Sequence, residues 1–171
     1  MTPVTVERSW NGKKGSLSWW IDDVMFDEAT RSEERQWPDD MAKWTAQQAR
    51  MLVFTELVYD TDRNQTNQLY TIDWDLYMID FSRAFRVWDE IRRRADLVRI
   101  DPDLFARLQT LTKTEVETAI GDHLSGPELS AVLKRRDLLM EHFQQLIDEK
   151  GEARVLILAF PGQESSLPCD H

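Results

Sequence analysis

The chain begins with two short stretches in which apolar residues take every second place: Val4 and Val6 in one, Leu17, Trp19 and Ile21 in the other. That is the period of a strand with one covered face, and the intervening NGKKG marks a hairpin turn. Residues 27–38 are charged and show no apolar period, which predicts a surface connection. From Asp39 the spacing becomes helical: Asp39 or Asp40 stands as the cap, and Trp44, Met51, Phe54 and Val58 return on one face. The polar run DTDRNQTN comes next. After it, QLYTI and LYMID are two strand-like runs around Asp73, Trp74 and Asp75, a second hairpin.

Three helical segments complete the pattern. Asp101 with Pro102 opens the first. Thr112 with Glu115 forms a capping box for the second, which Gly121 ends, and Ser125 with Glu128 opens a third, long one ended by Gly151. On the third, Leu129, Val132, Leu133, Leu139, Phe143 and Leu146 make a broad stripe that reads as core contact. VLILAF, before Pro161, reads as a late strand. The expected fold is α+β, mainly helical with short β-hairpins.

Composition narrows the class. At 171 residues the chain is long enough for one domain with a real core. No apolar run approaches a membrane span and MTPVTVERSW lacks the apolar core of a signal peptide, so a cytoplasmic location is the expectation. Cys169, the single cysteine, has no disulfide partner in the chain, and with His171 it offers a metal only two ligands in a terminal segment. A net charge of −10 argues against nucleic-acid binding, which needs a basic footprint. Arginines nevertheless cluster at Arg83, Arg86, Arg92, Arg93, Arg94 and Arg99. The run Arg92, Arg93, Arg94 reads as a solvated helix face, while Arg83 and Arg86 stay open as anchors for an anionic ligand.

Candidate chemistry lies in the polar run. Asp60, Asp62 and Asn64 alternate like the start of an EF-hand loop, but Gln65 and Thr71 stand where that loop needs Gly and a bidentate Glu. An Asx-rich turn is the plainer reading. The order of elements adds weight to a second one. A hairpin returns its exit to its entry, so Asp80 at the end of LYMID comes to the same side as Asn67, with Asp62 as a further carboxylate. Such oxygens suit Mg²⁺, which keeps waters and completes its shell with substrate phosphates.

Asn67 stands five residues after Asp62 and Asp80 thirteen after Asn67, with Phe81 next. These intervals resemble the catalytic loop and D-F-G segment of the protein-kinase-like superfamily. The Asp62-Arg63 order resembles the atypical, lipid-kinase-like branch, whose phosphoinositide 3- and 4-kinases carry a D-R-x-x-x-N loop. The run VYDTDRNQTNQLYTIDWDLYMIDFSRAFR also resembles an uncharacterised bacterial group of kinase-like proteins. The resemblance implies that Asp62 is the catalytic residue that orients or deprotonates an acceptor hydroxyl, and that Asn67 and Asp80 hold Mg²⁺ on the phosphates of ATP. It implies that Arg63 organises the loop or meets a phosphate.

The likeness covers the C-terminal lobe, residues 27–160, with residues 1–26 as a remnant of the N-terminal lobe or hinge and 161–171 as a flexible tail. Ser82 replaces the Gly of D-F-G. The stretch before Asp62 has no Gly-rich loop, and Lys13 and Lys14 read as turn residues, so the N-terminal lobe is expected to be incomplete and activity of the chain alone weak. Part of the Trp10, Trp19 and Trp20 group should then be unusually exposed, and the first hairpin is expected to support self-association. The leading expectation is an ATP- and Mg²⁺-dependent phosphotransferase acting on an unknown hydroxyl acceptor. The runner-up is a non-catalytic kinase-like module that binds a nucleotide or a partner, and a third reading is an α-rich protein whose acidic loop is structural.

Overall fold

Asn11 and Gly12 both have positive φ, 49° and 74°, as a two-residue hairpin turn requires. They join β1 (Thr5–Trp10) to β2 (Lys13–Ser18) in this computed structural model, which describes residues 1–157. The turn is therefore shorter than NGKKG: Lys13, Lys14 and Gly15 belong to β2. Every residue of both strands is exposed, and so are Trp10, Trp19 and Trp20. The tail with Cys169 and His171 lies outside the described residues.

The charged connection holds more structure than its pattern suggested. β3 (Val24–Asp27) runs through the expected boundary after residue 26 and leads into α1 (Glu28–Glu34), where Asp27 accepts a hydrogen bond from the Thr30 amide. Arg31, midway along α1, is buried. It pairs with Glu28 at 2.6 Å and lies 4.4 Å above the ring of Trp37. A sequence pattern shows Arg31 as one more surface charge; Glu28 and two tryptophans, Trp37 and Trp44, make it a core residue.

α2 (Met41–Leu57), capped by Asp40, is the spine. Met51 packs with Tyr70, Leu76 and Met78 of a three-stranded antiparallel sheet of order β3-β4-β5, in which β4 is Gln68–Thr71 and β5 is Leu76–Met78. Val53 looks the other way, into the main core with Leu97, Ile100, Phe105, Leu139 and Phe143. α3 (Pro102–Thr110) is capped by Asp101, and α4 (Lys113–Ile120) carries the Thr112–Glu115 capping box. α5 (Gly126–Lys150) carries the Ser125–Glu128 box and ends at Gly151, whose φ is 84°. Gly121 does not stop the chain in a left-handed turn; it continues as one 3-10 turn, Gly121–His123.

The fold is α+β, mainly helical, with two small antiparallel sheets. Two further expectations change. The arginine cluster lies on no helix face, because residues 79–93 are irregular, and Arg86, Arg92, Arg93 and Arg94 each bond a different partner. The late strand is a short α6 (Glu152–Val155) followed by a single parallel bridge between Leu156 and Ile100; residues 158–160 lie outside the described residues. No described helix is long and apolar enough to cross a membrane.

Candidate functional site

α2 ends in a left-handed turn that aims the polar loop. The Tyr59 amide donates to Glu56 O and the Asp60 amide to Thr55 O, a Schellman arrangement that requires positive φ at Tyr59, here 50°. Without glycine this conformation is costly, and packing holds it. The Tyr59 hydroxyl donates to Glu90, and its ring lies 4.6 Å from the Arg92 guanidinium and 5.3 Å from that of Arg135. The turn sends Asp60 inward, where it is almost fully buried.

Asp60 thus has a structural role. It accepts from Arg63 Nη2 at 2.5 Å and from the Asp62 amide at 3.1 Å. Arg63 in turn donates to the carbonyls of Asn67 (2.8 Å) and Ile79 (2.7 Å), and its guanidinium lies 4.5 Å from the Phe81 ring. Of the two roles open to Arg63, the geometry supports organising the loop: its side chain is buried and its hydrogen bonds go to protein acceptors. Asn64 is likewise committed, since its Oδ1 caps the 3-10 turn Gln65–Asn67 by accepting from the Thr66 and Asn67 amides. Of the three alternating oxygen residues, then, Asp60 and Asn64 hold the loop backbone, and Asp62 keeps a half-exposed carboxylate beside Arg83.

The backbone sets Asn67 opposite Ile79, the residue before Asp80. The β4–β5 register pairs Gln68 with Met78, and one step further the Ile79 amide donates to Asn67 O at 3.1 Å. Asn67 Nδ2 donates to Asp62 O at 3.2 Å, which orients the amide and leaves Oδ1 with no hydrogen-bond donor among the described residues. Asp80 has φ 54°, a left-handed conformation that Asp tolerates, and the resulting bend drives Phe81 back against Phe54 of α2. The Ser82 side chain and amide both bond the Asp80 carboxylate and hold it below the ordinary carboxylate range. Ser82 thus favours the charged form of Asp80.

Arg83 is the exposed cation here. Its Nε lies 3.6 Å from Asp62 Oδ2, and its carbonyl accepts from Thr61. Arg86 bonds back to the Arg83 carbonyl instead of meeting the acidic group. Arg92, expected on a solvated face, is bound to buried Glu56 and to the Asp60 carbonyl. Lys14 pairs with Glu7 and Lys43 with Asp75, at the turn end of the hairpin away from Asp80.

Mg²⁺ and a nucleotide, which the kinase resemblance implies, fit the donor chemistry in part. Asn67 Oδ1 and Asp80 are hard oxygen donors of the right type. Among the described residues no three His, Cys, Asp or Glu side chains group as a metal site, so a cation bound by Asn67 and Asp80 would draw most of its shell from water and phosphate. No protein-family model matches the chain, and no curated protein is detectably similar to it in sequence.

Sequence reasoning reads Asp60 as a cap at the end of the preceding helix or loop, and its carboxylate does accept the Asp62 amide; it passes over the Asp60–Arg63 pair, Ser82 as the clamp on Asp80, and Arg83 as neighbour of Asp62.

Proposed function

We propose that this chain is a kinase-like phosphotransferase domain that binds ATP with Mg²⁺ and works on a hydroxyl acceptor. The observation that supports the reading most is the Arg63 staple: one guanidinium bonds the end of the polar loop at Asn67 and the strand exit at Ile79, so the two proposed cation ligands are held together. In this reading Asn67 Oδ1 and Asp80 hold Mg²⁺, which neutralises phosphate charge when bound. Asp62, facing solvent beside Arg83, accepts or orients the hydroxyl proton. Arg83 offers its charge to an incoming phosphate or an anionic acceptor.

The non-catalytic reading has its own support. Lys14 and Lys43 are engaged away from Asp80, so neither is placed to hold the terminal phosphate. A mobile phosphate forfeits the positioning on which transfer depends. The two readings share nucleotide binding and divide on turnover.

The test begins with Mg²⁺-dependent binding of a fluorescent ATP analogue to the wild type, Asn67→Ala and Asp80→Ala, followed by labelled-phosphate transfer with Asp62→Ala. Weak binding that needs Mg²⁺ and drops about tenfold or more in both variants supports the site. Turnover lost in Asp62→Ala supports the enzyme, and binding without turnover supports the module. Binding that ignores Mg²⁺ and both substitutions sinks the proposal.

A further inference from the structure

The β1–β2 ladder sorts its side chains cleanly by face. Opposed residues share a face, so Thr5 with Ser18, Glu7 with Ser16 and Ser9 with Lys14 make one side, on which Thr5 bonds Ser18 at 2.8 Å and Lys14 bonds Glu7 at 3.0 Å. The other side carries Val6 with Leu17, Arg8 with Gly15 and Trp10 with Lys13, and the ladder extends to Val4 with Trp19 through the Trp19 amide on Val4 O. The polar side faces the body, across a cleft of about 470 Å³ that Thr5, Glu7, Lys14 and Ser16 line together with His123, and that Val6 and Gly15 also border. The apolar side faces solvent: Val4 is 73% exposed, Leu17 61%, Trp19 74% and Trp10 81%.

Gly15 is a separate observation. A glycine inside a strand weakens it, and it commonly marks close approach by another chain. Here a Cβ on Gly15 would meet nothing within 4 Å among the described residues, and Gly15 does not have the positive φ seen at Gly12. Nothing in the described part of the protomer accounts for the missing side chain. On the exposed face it leaves a notch beside Arg8.

We infer that this face is the docking surface for a second copy of the chain, packed face to face about a two-fold axis with the hairpins antiparallel. The pattern is self-complementary in that arrangement. The axis passes between the Val6–Leu17 and Arg8–Gly15 pairs, so each Leu17 enters the other copy's Gly15 notch, and each Val4–Trp19 pair lies over the other's Trp10–Lys13 pair. Charge agrees with the pairing. On this face Arg8 and Lys13 carry positive charge toward the hairpin tip in a chain of net charge −10, while Asp22 and Asp23 stand at its base, where the partner's tip arrives. A parallel arrangement would set tip on tip, cation against cation.

The area suits a reversible dimer. Taking about 200 Å² for each indole, the exposed apolar side chains cover roughly 600 Å² per copy, or about 1,200 Å² in total, the low end of stable interfaces. An interface at this end of the size range is expected to be reversible, with its strength set by how well the indoles seat and not by area.

The test is sedimentation velocity of the full chain across the micromolar range for the wild type and four variants. Gly15→Val fills the notch while raising β propensity, so it should weaken association at least about tenfold and leave the unfolding midpoint of the dilute protein unchanged or raised. Lys13→Glu and Asp22→Lys should each weaken it, and the double variant Lys13→Glu/Asp22→Lys should recover most of the loss. A wild type that stays monomeric throughout overturns the inference. So does a dimer indifferent to Gly15→Val, a charge pair that fails to rescue, or a hairpin that binds anionic vesicles or another protein without dimerising.

Discussion

Removing the Asp60 carboxylate tests whether the site is held from inside. In the native chain Asp60 is about 1% exposed and takes the Arg63 guanidinium at 2.5 Å and the Asp62 amide at 3.1 Å. Asp60→Ala leaves a buried cation facing only the carbonyls of Asn67 and Ile79, and breaking a buried pair this way costs about 3–5 kcal/mol. Because those two carbonyls remain in place, the lower end applies, about 3 kcal/mol. At ~2–4 °C per kcal/mol for a chain of this size, the midpoint of thermal unfolding should fall by roughly 6–12 °C. Arg63→Met in the same background should cost much less than it does alone, with a coupling of about 2 kcal/mol in urea-denaturation cycles. A loss below about 1 kcal/mol for Asp60→Ala, or strict additivity with Arg63→Met, would refute the staple.

Three further outcomes are expected. Arg135 is fully buried, with its pKa pushed down by burial to about 10, and it donates to the carbonyls of Leu57, Arg86 and Trp88. Arg135→Lys, which cannot reach all three, should cost about 2–3 kcal/mol in urea denaturation. His142 accepts from Arg94 on Nδ1 and donates from Nε2 to Leu97 O, and burial holds its pKa below the ordinary value. Its contribution to stability is therefore full above pH ~6.5 and lost as pH falls through the lower native value, and His142→Gln should flatten that part of the stability profile. Since Ser82 keeps Asp80 charged below the usual range, Mg²⁺-dependent nucleotide binding should persist unchanged at pH ~5, whereas in Ser82→Ala its acid limb should move to higher pH.

Where the chain spoke locally, it was legible. Asn11-Gly12, the caps at Asp40 and Asp101, and both capping boxes have one physical meaning wherever they occur, and the structure uses each that way. The second hairpin was legible too, and its register sets Asn67 opposite Ile79, one residue before Asp80. What escaped were charges taken into the interior. Glu56 and Arg135 give no sign of burial, because a one-dimensional pattern does not show a partner thirty or more residues away, such as Arg92 for Glu56. The same blindness hid α1, whose one buried side chain is an arginine.

Arg135 also bears on how the chain is made. Its acceptors at Leu57, Arg86 and Trp88 lie 78, 49 and 47 residues upstream, so a ribosome adding about 5–20 residues per second exposes the end of α2 several seconds before its clamp exists. Tyr59 meets Glu90 and the Arg92 guanidinium earlier, but the Arg135 guanidinium, 5.3 Å from its ring, arrives only with α5. The polar loop is thus completed late in synthesis. A nascent chain stalled before α5 should carry both hairpins and a formed α2, yet leave the Tyr59 turn and Asp60 open to water.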